Sequence, residues 1–158
     1  MTDSASVVEQ LRKVGLFRDL GDSQVAKIGE IARIRRFRQG EVVFKEGDPS
    51  DRLFLVLQGK VRIGRVIEGI GEEALAILEP GDCFGELSIV DDGPRSADAL
   101  AHEECALLAI NRTELEDVML MDKGLGYELL WNIARTLAAR LRQTNDKITF
   151  LSVSAKFG

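Results

Sequence analysis

One segment near the middle of the chain carries residue types that could bind a sugar phosphate. An apolar run ends at Phe84 and is followed by Gly85, Glu86 and, further on, Arg95. Gly85 lets the backbone turn and approach a ligand, because it has no Cβ. Arg95 can hold a phosphate by two hydrogen bonds, and an ionised Glu86 accepts a hydrogen bond from a sugar hydroxyl. The segment therefore indicates a ribose phosphate, and a salt-bridged turn without a ligand remains the alternative.

The residues around this group bear on whether an anion fits. Glu86 to Val90 can form one helical turn whose free N–H groups point outward, an arrangement that binds anions. Asp98 is unfavourable, because strand alternation places it on the same face as Ser96 and an inward carboxylate would repel a phosphate. An Arg95–Asp98 pair would mark a site that is filled by the protein's own side chains.

A frame of short strands must position these residues. Between Ile34 and Ile110 the apolar runs are short, rich in Val, Ile, Phe and Leu, and separated by glycine-containing turns. This pattern predicts an antiparallel sandwich or barrel. Helical spacing precedes it at 4–14 and at 24–31, the second helix capped by Asp22 or Ser23, and returns after Asn111 with a short helix at 113–121.

A long helix is predicted from Gly124 to Ser152. Its apolar stripe consists of Leu125, Leu129, Ile133, Leu137, Leu141, Ile148 and Leu151. At 1.5 Å per residue such a helix is roughly 40 Å long, too long to lie entirely against one small β-roll. The stripe predicts a homodimer through 125–151, formed by a parallel pair of helices. The alternative is a helix that packs wholly on its own domain.

Composition excludes several classes of protein. The chain has 158 residues, a net charge of −5, two cysteines and one histidine. Metal sites and cofactors are not expected, and neither Ser-His-Asp nor Cys-His catalysis can be assembled, so we expect no catalytic residues and no enzyme. The acidic balance argues against duplex DNA, and Arg33, Arg35, Arg36 and Arg38 fit the wet face of an edge strand. The absence of a signal peptide and of a long apolar run predicts a cytoplasmic protein that does not enter a membrane.

The chain resembles the cyclic-nucleotide-binding domain family, which includes the sensor domain of catabolite activator protein. The matching features, in family order, are Leu16-Phe17, Gly40, Gly47-Asp48, Leu53 to Val61 with Gly59, Gly81-Asp82, Phe84-Gly85-Glu86-Leu87 and Arg95-Ser96-Ala97. The resemblance implies an α+β fold, an antiparallel β-roll (jelly roll) with N-terminal helices and a long C-terminal helix. One domain is expected over 1–158, with N-terminal helices at 1–32, the roll at 33–111 and C-terminal helices at 112–158.

The resemblance also implies roles for individual residues. A phosphate-binding cassette is expected at 84–97, where Gly85, Glu86, Leu87 and Ser88 form its start and Glu86 takes the ribose 2′-hydroxyl. Arg95 and Ser96 would hold the cyclic phosphate, while Phe84 and Leu87 pack the cassette against the roll. The ligand-binding set closes with Ala97 and, on the long helix, Arg140, Thr144 and Asn145, the last two of which would face the purine.

The function implied is a stand-alone sensor of cyclic AMP, or of cyclic GMP, that signals through rearrangement of the C-terminal helix to an unknown effector protein. Cyclic AMP is favoured because of Thr144. Since the chain stops at Gly158 without room for a helix-turn-helix module, we expect no direct DNA binding by this chain. Two alternatives remain: a ligand-free dimeric scaffold on the same fold, and the sensor half of a truncated transcription regulator. A cupin-like metalloenzyme would need several inward histidines, and the chain has only His102.

Overall fold

The computed structural model describes residues 4–157, which form helices at both ends and strands between them. The N-terminal part contains α1 (Ser4–Arg12), a 3₁₀ turn (Gly15–Phe17) and α2 (Asp22–Ile31). The strands are β1 (Ala32–Phe37), β2 (Val42–Phe44), β3 (Arg52–Gln58), β4 (Val61–Ile67), β5 (Gly71–Leu78), β6 (Cys83–Phe84), β7 (Asp98–Ala101) and β8 (Cys105–Asn111). A short α3 (Leu87–Val90) follows β6, and α4 (Arg112–Met121) and α5 (Lys123–Phe157) follow β8.

The strands form two four-stranded antiparallel sheets that face each other as a β-roll. Their orders are β1-β8-β3-β6 and β2-β7-β4-β5. The predicted roll with flanking helices is confirmed. The arginine-rich β1 pairs with β8 at an edge of its sheet, and Arg33, Arg35, Arg36 and Arg38 are exposed, as predicted.

Two cores share the sheet that contains β3 and β8. Phe54 and Val56 of β3 point into the roll, whereas Leu53 and Leu55 point to the helices. Successive side chains of a strand alternate between its faces, so a strand covered on both sides is apolar at every position. This explains the continuous run from Cys105 to Ile110, all of which is buried.

The N-terminal boundaries differ from the prediction at two points. The first helix ends at Arg12 rather than Val14, and the 3₁₀ turn follows it. The residue that precedes α2 is Gly21, not Asp22 or Ser23, and its N–H donates to Gln24 Oε1 at 2.8 Å. Gly21 is therefore the N-cap, and Asp22 is the first residue of the helix.

The long helix α5 extends from Lys123 to Phe157 and is anchored at its start. Asp122 Oδ1 accepts a hydrogen bond from the Leu125 N–H at 3.1 Å, and Asn132 Nδ2 donates to the carbonyl oxygens of Leu16 at 3.0 Å and Arg18 at 2.7 Å. From Ala138 to Ala155 the residues are exposed. Across residues 4–157 no helix has the length and apolarity needed to cross a membrane.

The predicted dimer stripe is wrong in its first half. Leu125, Leu129 and Ile133 are 0%, 0% and 1% exposed within a single chain, because they pack on the helix-side core. They therefore offer no surface to a partner. The exposed apolar side chains of the second half include Leu141, Ile148 and Leu151, at 61%, 57% and 65% exposure.

Candidate functional site

A cavity of about 380 Å³ opens between the β-roll and α5. This volume lies in the range of small-molecule sites, roughly 300–1,000 Å³. The cavity brings together most of the residues that the sequence assigned to a ligand. Those that line it are Phe84, Gly85, Glu86, Leu87, Arg95, Ser96, Ala97 and Arg140.

Gly85 occupies a position that only glycine fits. Its φ is 79°, in the left-handed region that other residues avoid. A Cβ at this position would lie 2.7 Å from Arg95 Nη1 and 2.9 Å from the Arg52 carbonyl oxygen. The glycine thus allows the chain to turn from β6 into α3 while Arg95 packs directly against the backbone.

Arg95 is a buried cation at the cavity wall, with 5% of its surface exposed. Its Nη2 donates to the Arg52 carbonyl oxygen at 2.8 Å, and its nearest carboxylate is Asp51, 4.0 Å away and mostly exposed. Its Nε has no hydrogen-bond partner within the described chain. Burial lowers the pKa of Arg95 from its ordinary value, opposed by Asp51 and Asp48. A guanidinium nevertheless stays protonated in proteins, so a charge with an uncommitted donor borders the cavity.

Glu86 brings a buried carboxylate to the same cavity, with 3% exposure. Its Oε1 contacts Nη1 of Arg140 as an ion pair. An ionised carboxylate has about four lone-pair sites on its two oxygens, more than this one contact uses. The buried carboxylate can therefore still accept a hydrogen bond, and Arg140 links the cassette to α5.

Ser88 and Leu87 occupy other places than expected. Ser88 is fully buried and lies outside the cavity lining, and its Oγ donates to the carbonyl oxygens of Gly85 at 2.6 Å and Arg52 at 3.2 Å. Leu87, expected to pack against the roll, is 42% exposed and lines the cavity, and Ile89 is buried in its place at 6%. The physical reason is the helical turn α3, which directs Ser88 and Ile89 inward and Leu87 outward.

The amide groups of α3 are only partly free. The N–H groups of Ser88 and Ile89 donate to the carbonyl oxygens of Gly85 and Glu86, at 3.0 and 3.1 Å. The expectation that all N–H groups of this turn are free to bind an anion is therefore wrong for Ser88 and Ile89. An anion at this turn would have to use the earlier amides.

The carboxylate of Asp98 does not enter the cavity. Its Oδ1 accepts a hydrogen bond from the Glu46 N–H at 2.7 Å, and the residue is absent from the cavity lining. The carboxylate that Arg95 approaches is Asp51 rather than Asp98. The arrangement that would have repelled a phosphate is thus not formed.

Thr144 and Asn145 do not line the cavity of their own chain. Both are exposed, and Thr144 Oγ1 donates to the Arg140 carbonyl oxygen at 3.0 Å. The helix rises away from the roll after Arg140, which places these side chains beyond the cavity. They share a helical face with the exposed Leu141 and Ile148.

Some lining residues were not assigned from the sequence. Phe44 lies with its ring centroid 4.2 Å from Arg95 Cζ, and Ile63, Ala76 and Leu78 form an apolar wall. Cys83 is another lining residue, and burial raises the pKa of its thiol to about 12. Both cysteines are free. The apolar residues had no distinguishing signal, because which strand faces which is set by pairing across the roll.

Comparison with known proteins gives a consistent result. A model of the cyclic nucleotide-binding domain matches residues 34–122. A CRP-like cAMP-activated global transcriptional regulator of Mycobacterium tuberculosis is 36% identical over 143 residues, covering 90% of this chain and 62% of the relative. The cyclic AMP receptor protein of Thermus thermophilus is 39% identical over 137 residues, covering 87% of this chain and 62% of its own length.

A solved structure agrees with these relatives. The N-terminal domain of a transcriptional regulator from Streptomyces coelicolor A3(2) superposes with a TM-score of 0.76 at 37% identity, covering 88% of this chain and 94% of that one. The chain spans about 62% of the length of the two curated relatives. Within the described residues no cluster of three or more metal-ligating side chains occurs. The match of the family model and the identity to these regulators show that the chain belongs to the cyclic nucleotide-binding domain family.

Proposed function

We propose that this chain is a sensor of cyclic AMP that signals through α5. The observation that carries the proposal is the buried guanidinium of Arg95, whose Nε lacks a partner at the cavity wall. Burying a charge is costly unless it is paired, and Asp51 at 4.0 Å compensates it only weakly. An anion in the cavity would supply the missing partner.

The rest of the cavity supports a nucleotide rather than a bare anion. Glu86 can only accept hydrogen bonds when ionised, so its free lone pairs suit a sugar hydroxyl. The apolar wall formed by Ile63, Ala76 and Leu78 suits a planar base. A cyclic phosphate next to Arg95 with a ribose next to Glu86 uses both buried groups at once.

Titration calorimetry tests the phosphate contact. Wild-type protein is expected to bind cyclic AMP, and Arg95→Lys is expected to bind about tenfold to a hundredfold more weakly, because a point charge replaces the two-pronged guanidinium. The matched control is Arg62→Lys, an arginine of β4 that pairs with Glu72 outside the cavity. Equal affinity in Arg95→Lys and Arg62→Lys would refute the phosphate site.

A second titration tests the ribose contact. Glu86→Gln replaces a charged acceptor with an amide, so the variant should bind cyclic AMP more weakly than the wild type does. Within the variant, removing the 2′-hydroxyl of the ligand should cause little further loss, so cyclic AMP and 2′-deoxy cyclic AMP should bind with similar affinity. Wild-type protein should discriminate between the two nucleotides by about tenfold to a hundredfold, the value of one hydrogen bond to a charged group. The assignment fails if Glu86→Gln discriminates as strongly as the wild type. The same titrations with cyclic GMP rank the two ligands.

We further propose that two chains pair through the exposed part of α5. Leu130, Leu141, Asn145 and Ile148 lie on one helical face, and the three apolar members are 46%, 61% and 57% exposed. Exposed apolar side chains on one helix face offer a surface that a second copy of the helix can cover. Pairing would bring Thr144 and Asn145 of a second copy toward the cavity that they do not reach in their own chain.

Sedimentation velocity measures this pairing. Leu141→Glu should convert dimer to monomer, since it buries an unpaired charge in the proposed interface. Gln143→Glu, an exposed change roughly on the opposite face of the same helix turn, is the matched control. A wild-type monomer at high micromolar concentration would overturn the dimer and leave the phosphate site untouched.

A further inference from the structure

The guanidinium of Arg95 lies over an aromatic ring as well as against a carbonyl. Its Cζ is 4.2 Å from the ring centroid of Phe44 and 5.8 Å from that of Phe54. The ring of Phe44 is held in turn, with centroid distances of 6.0 Å to both Phe54 and Phe84. Phe44 ends β2 and lines the cavity.

These contacts restrain a planar group in two independent directions. The hydrogen bond from Nη2 to the Arg52 carbonyl oxygen fixes one edge of the guanidinium at 2.8 Å. The face of an aromatic ring attracts a cation from above through its quadrupole, and this attraction is strongest where water is excluded. Together they restrain Arg95 at the cavity wall and leave its Nε without a protein partner among the described residues.

We infer that Phe44 is a positioning residue for Arg95, whose ring holds the guanidinium in the orientation that receives the ligand's phosphate. The inference rests on the proposed function for the identity of that ligand. An aliphatic side chain at residue 44 would fill the same space in the roll but would not attract the cation. The guanidinium would keep its hydrogen bond to Arg52 and its more distant contacts with Phe54 and Asp51, but it would lose the closest restraint on its face and could turn away from the cavity.

Fluorinated phenylalanines separate this role from simple packing. Replacing Phe44 by 4-fluoro-, 3,5-difluoro- and 3,4,5-trifluorophenylalanine progressively reduces the negative electrostatic potential on the face of the ring and changes the size of the ring little. Affinity for cyclic AMP should fall stepwise, by about tenfold in total, while circular dichroism shows an unchanged fold. Phe44→Tyr should retain affinity and Phe44→Leu should lose it. Unchanged affinity along the series would overturn the role.

The chain offers a matched control for the same chemistry. Arg35 Cζ lies 5.6 Å from the ring centroid of Phe37, outside the cavity. The same three fluorinated residues at Phe37 should leave affinity for cyclic AMP unchanged. An equal loss at both positions would mean that fluorination acts through the fold, which would overturn the inference.

A ligand without a base excludes the other possible contact of Phe44, stacking on the nucleobase. Ribose 3′,5′-cyclic phosphate carries the sugar and the phosphate alone. If Phe44 acts through Arg95, the fluorinated series should weaken this ligand by the same factor as cyclic AMP. An effect that is confined to cyclic AMP would assign Phe44 to the base and overturn the role proposed here.

An observation on the unliganded protein separates failure of this inference from failure of the proposed function. A ring stacked on Arg95 should shift its guanidinium N–H proton signals upfield, and Phe44→Leu should abolish that shift. If the shift is present and the wild type binds no cyclic nucleotide, the proposed function is overturned and the aromatic contact stands. If the shift is absent, the positioning role of Phe44 is overturned whatever the ligand.

Discussion

Replacing Gly85 by alanine is the sharpest single perturbation of the cassette. The new Cβ would lie 2.9 Å from the Arg52 carbonyl oxygen, which is backbone, and 2.7 Å from Arg95 Nη1, which is the far end of a side chain. The carbonyl cannot move without disturbing β3, so part of the strain is relieved by displacing Arg95. The variant should therefore lose both stability and affinity.

The magnitude follows from two separable costs. A non-glycine residue in the left-handed region costs about 1–2 kcal/mol, and an added methyl in a filled space costs about 1–3 kcal/mol. Gly81→Ala measures the first cost alone, because Gly81 has a φ of 95° and no atom within 4 Å of its ideal Cβ. We expect Gly85→Ala to lower the free energy of unfolding by about 1–3 kcal/mol more than Gly81→Ala.

Urea unfolding followed by circular dichroism gives the stability difference, and calorimetry with cyclic AMP gives the affinity. Displacing Arg95 from the phosphate should cost about tenfold to a hundredfold in affinity, the worth of a hydrogen bond between charged groups. Gly81→Ala should bind as the wild type does. The reasoning is refuted if both variants lose equal stability and both keep wild-type affinity.

Two further predictions concern titratable groups. Hydrogen bonds from the Leu125 N–H and from Lys27 hold the pKa of Asp122 below its usual value. The ionised Asp122 therefore stabilises the fold fully above the pKa that this group has in the unfolded chain, and the stabilisation is lost as the pH falls through its lower pKa in the folded protein. The free energy of unfolding should consequently fall less steeply with decreasing pH in Asp122→Asn than in the wild type below about pH 4. An equal pH dependence in the two proteins would contradict this prediction. Because burial raises the pKa of Cys83 to about 12, its thiol should react slowly with Ellman's reagent at pH 8, and more slowly still when cyclic AMP is bound. The Cys83→Ala variant gives the background rate that is due to the other cysteine. A rate equal to that of a free thiol would contradict the burial of Cys83.

The part of the site that lies in one segment could be predicted from sequence, because its functional side chains are close together along the chain. The left-handed Gly85, the carboxylate of Glu86 and the guanidinium of Arg95 all lie within one segment and line one cavity. Phe44 and Ala76 could not be assigned, since each reaches the cavity through pairing between strands that are distant in sequence. Asp98 shows the same limit: alternation placed it on a face, but its hydrogen bond to Glu46 depends on the loop after β2.

The long helix shows why periodicity alone assigned buried residues to the predicted dimer interface. Apolar residues at four-residue steps mark a stripe, but a helix that packs on its domain in its first half and is exposed in its second has two apolar faces. Leu129 and Ile133 belong to the face that is buried in the core, whereas Leu141 and Ile148 belong to the exposed face. The four-residue spacing suggested a single stripe, but each four-residue step rotates the side-chain direction around the helix by about 40°. After several steps the later residues therefore face a different direction from the first ones.

The proposed signal has a single route from the cavity to α5 among the described residues. Arg140 is the one residue of α5, among those described, that lines the cavity, and it does so through its ion pair with Glu86. In the proposed complex, a ribose hydroxyl that binds Glu86 would compete with or rearrange that pair, so its differential affinity for the two arrangements would act directly on Arg140. The beginning of α5 is fixed by Asn132 and by buried leucines, which leaves the exposed segment after Leu137 free to respond. We therefore expect ligand-induced change to appear beyond Leu137, on the face that carries Leu141 and Ile148, because the anchored part of the helix has no contact with the cavity.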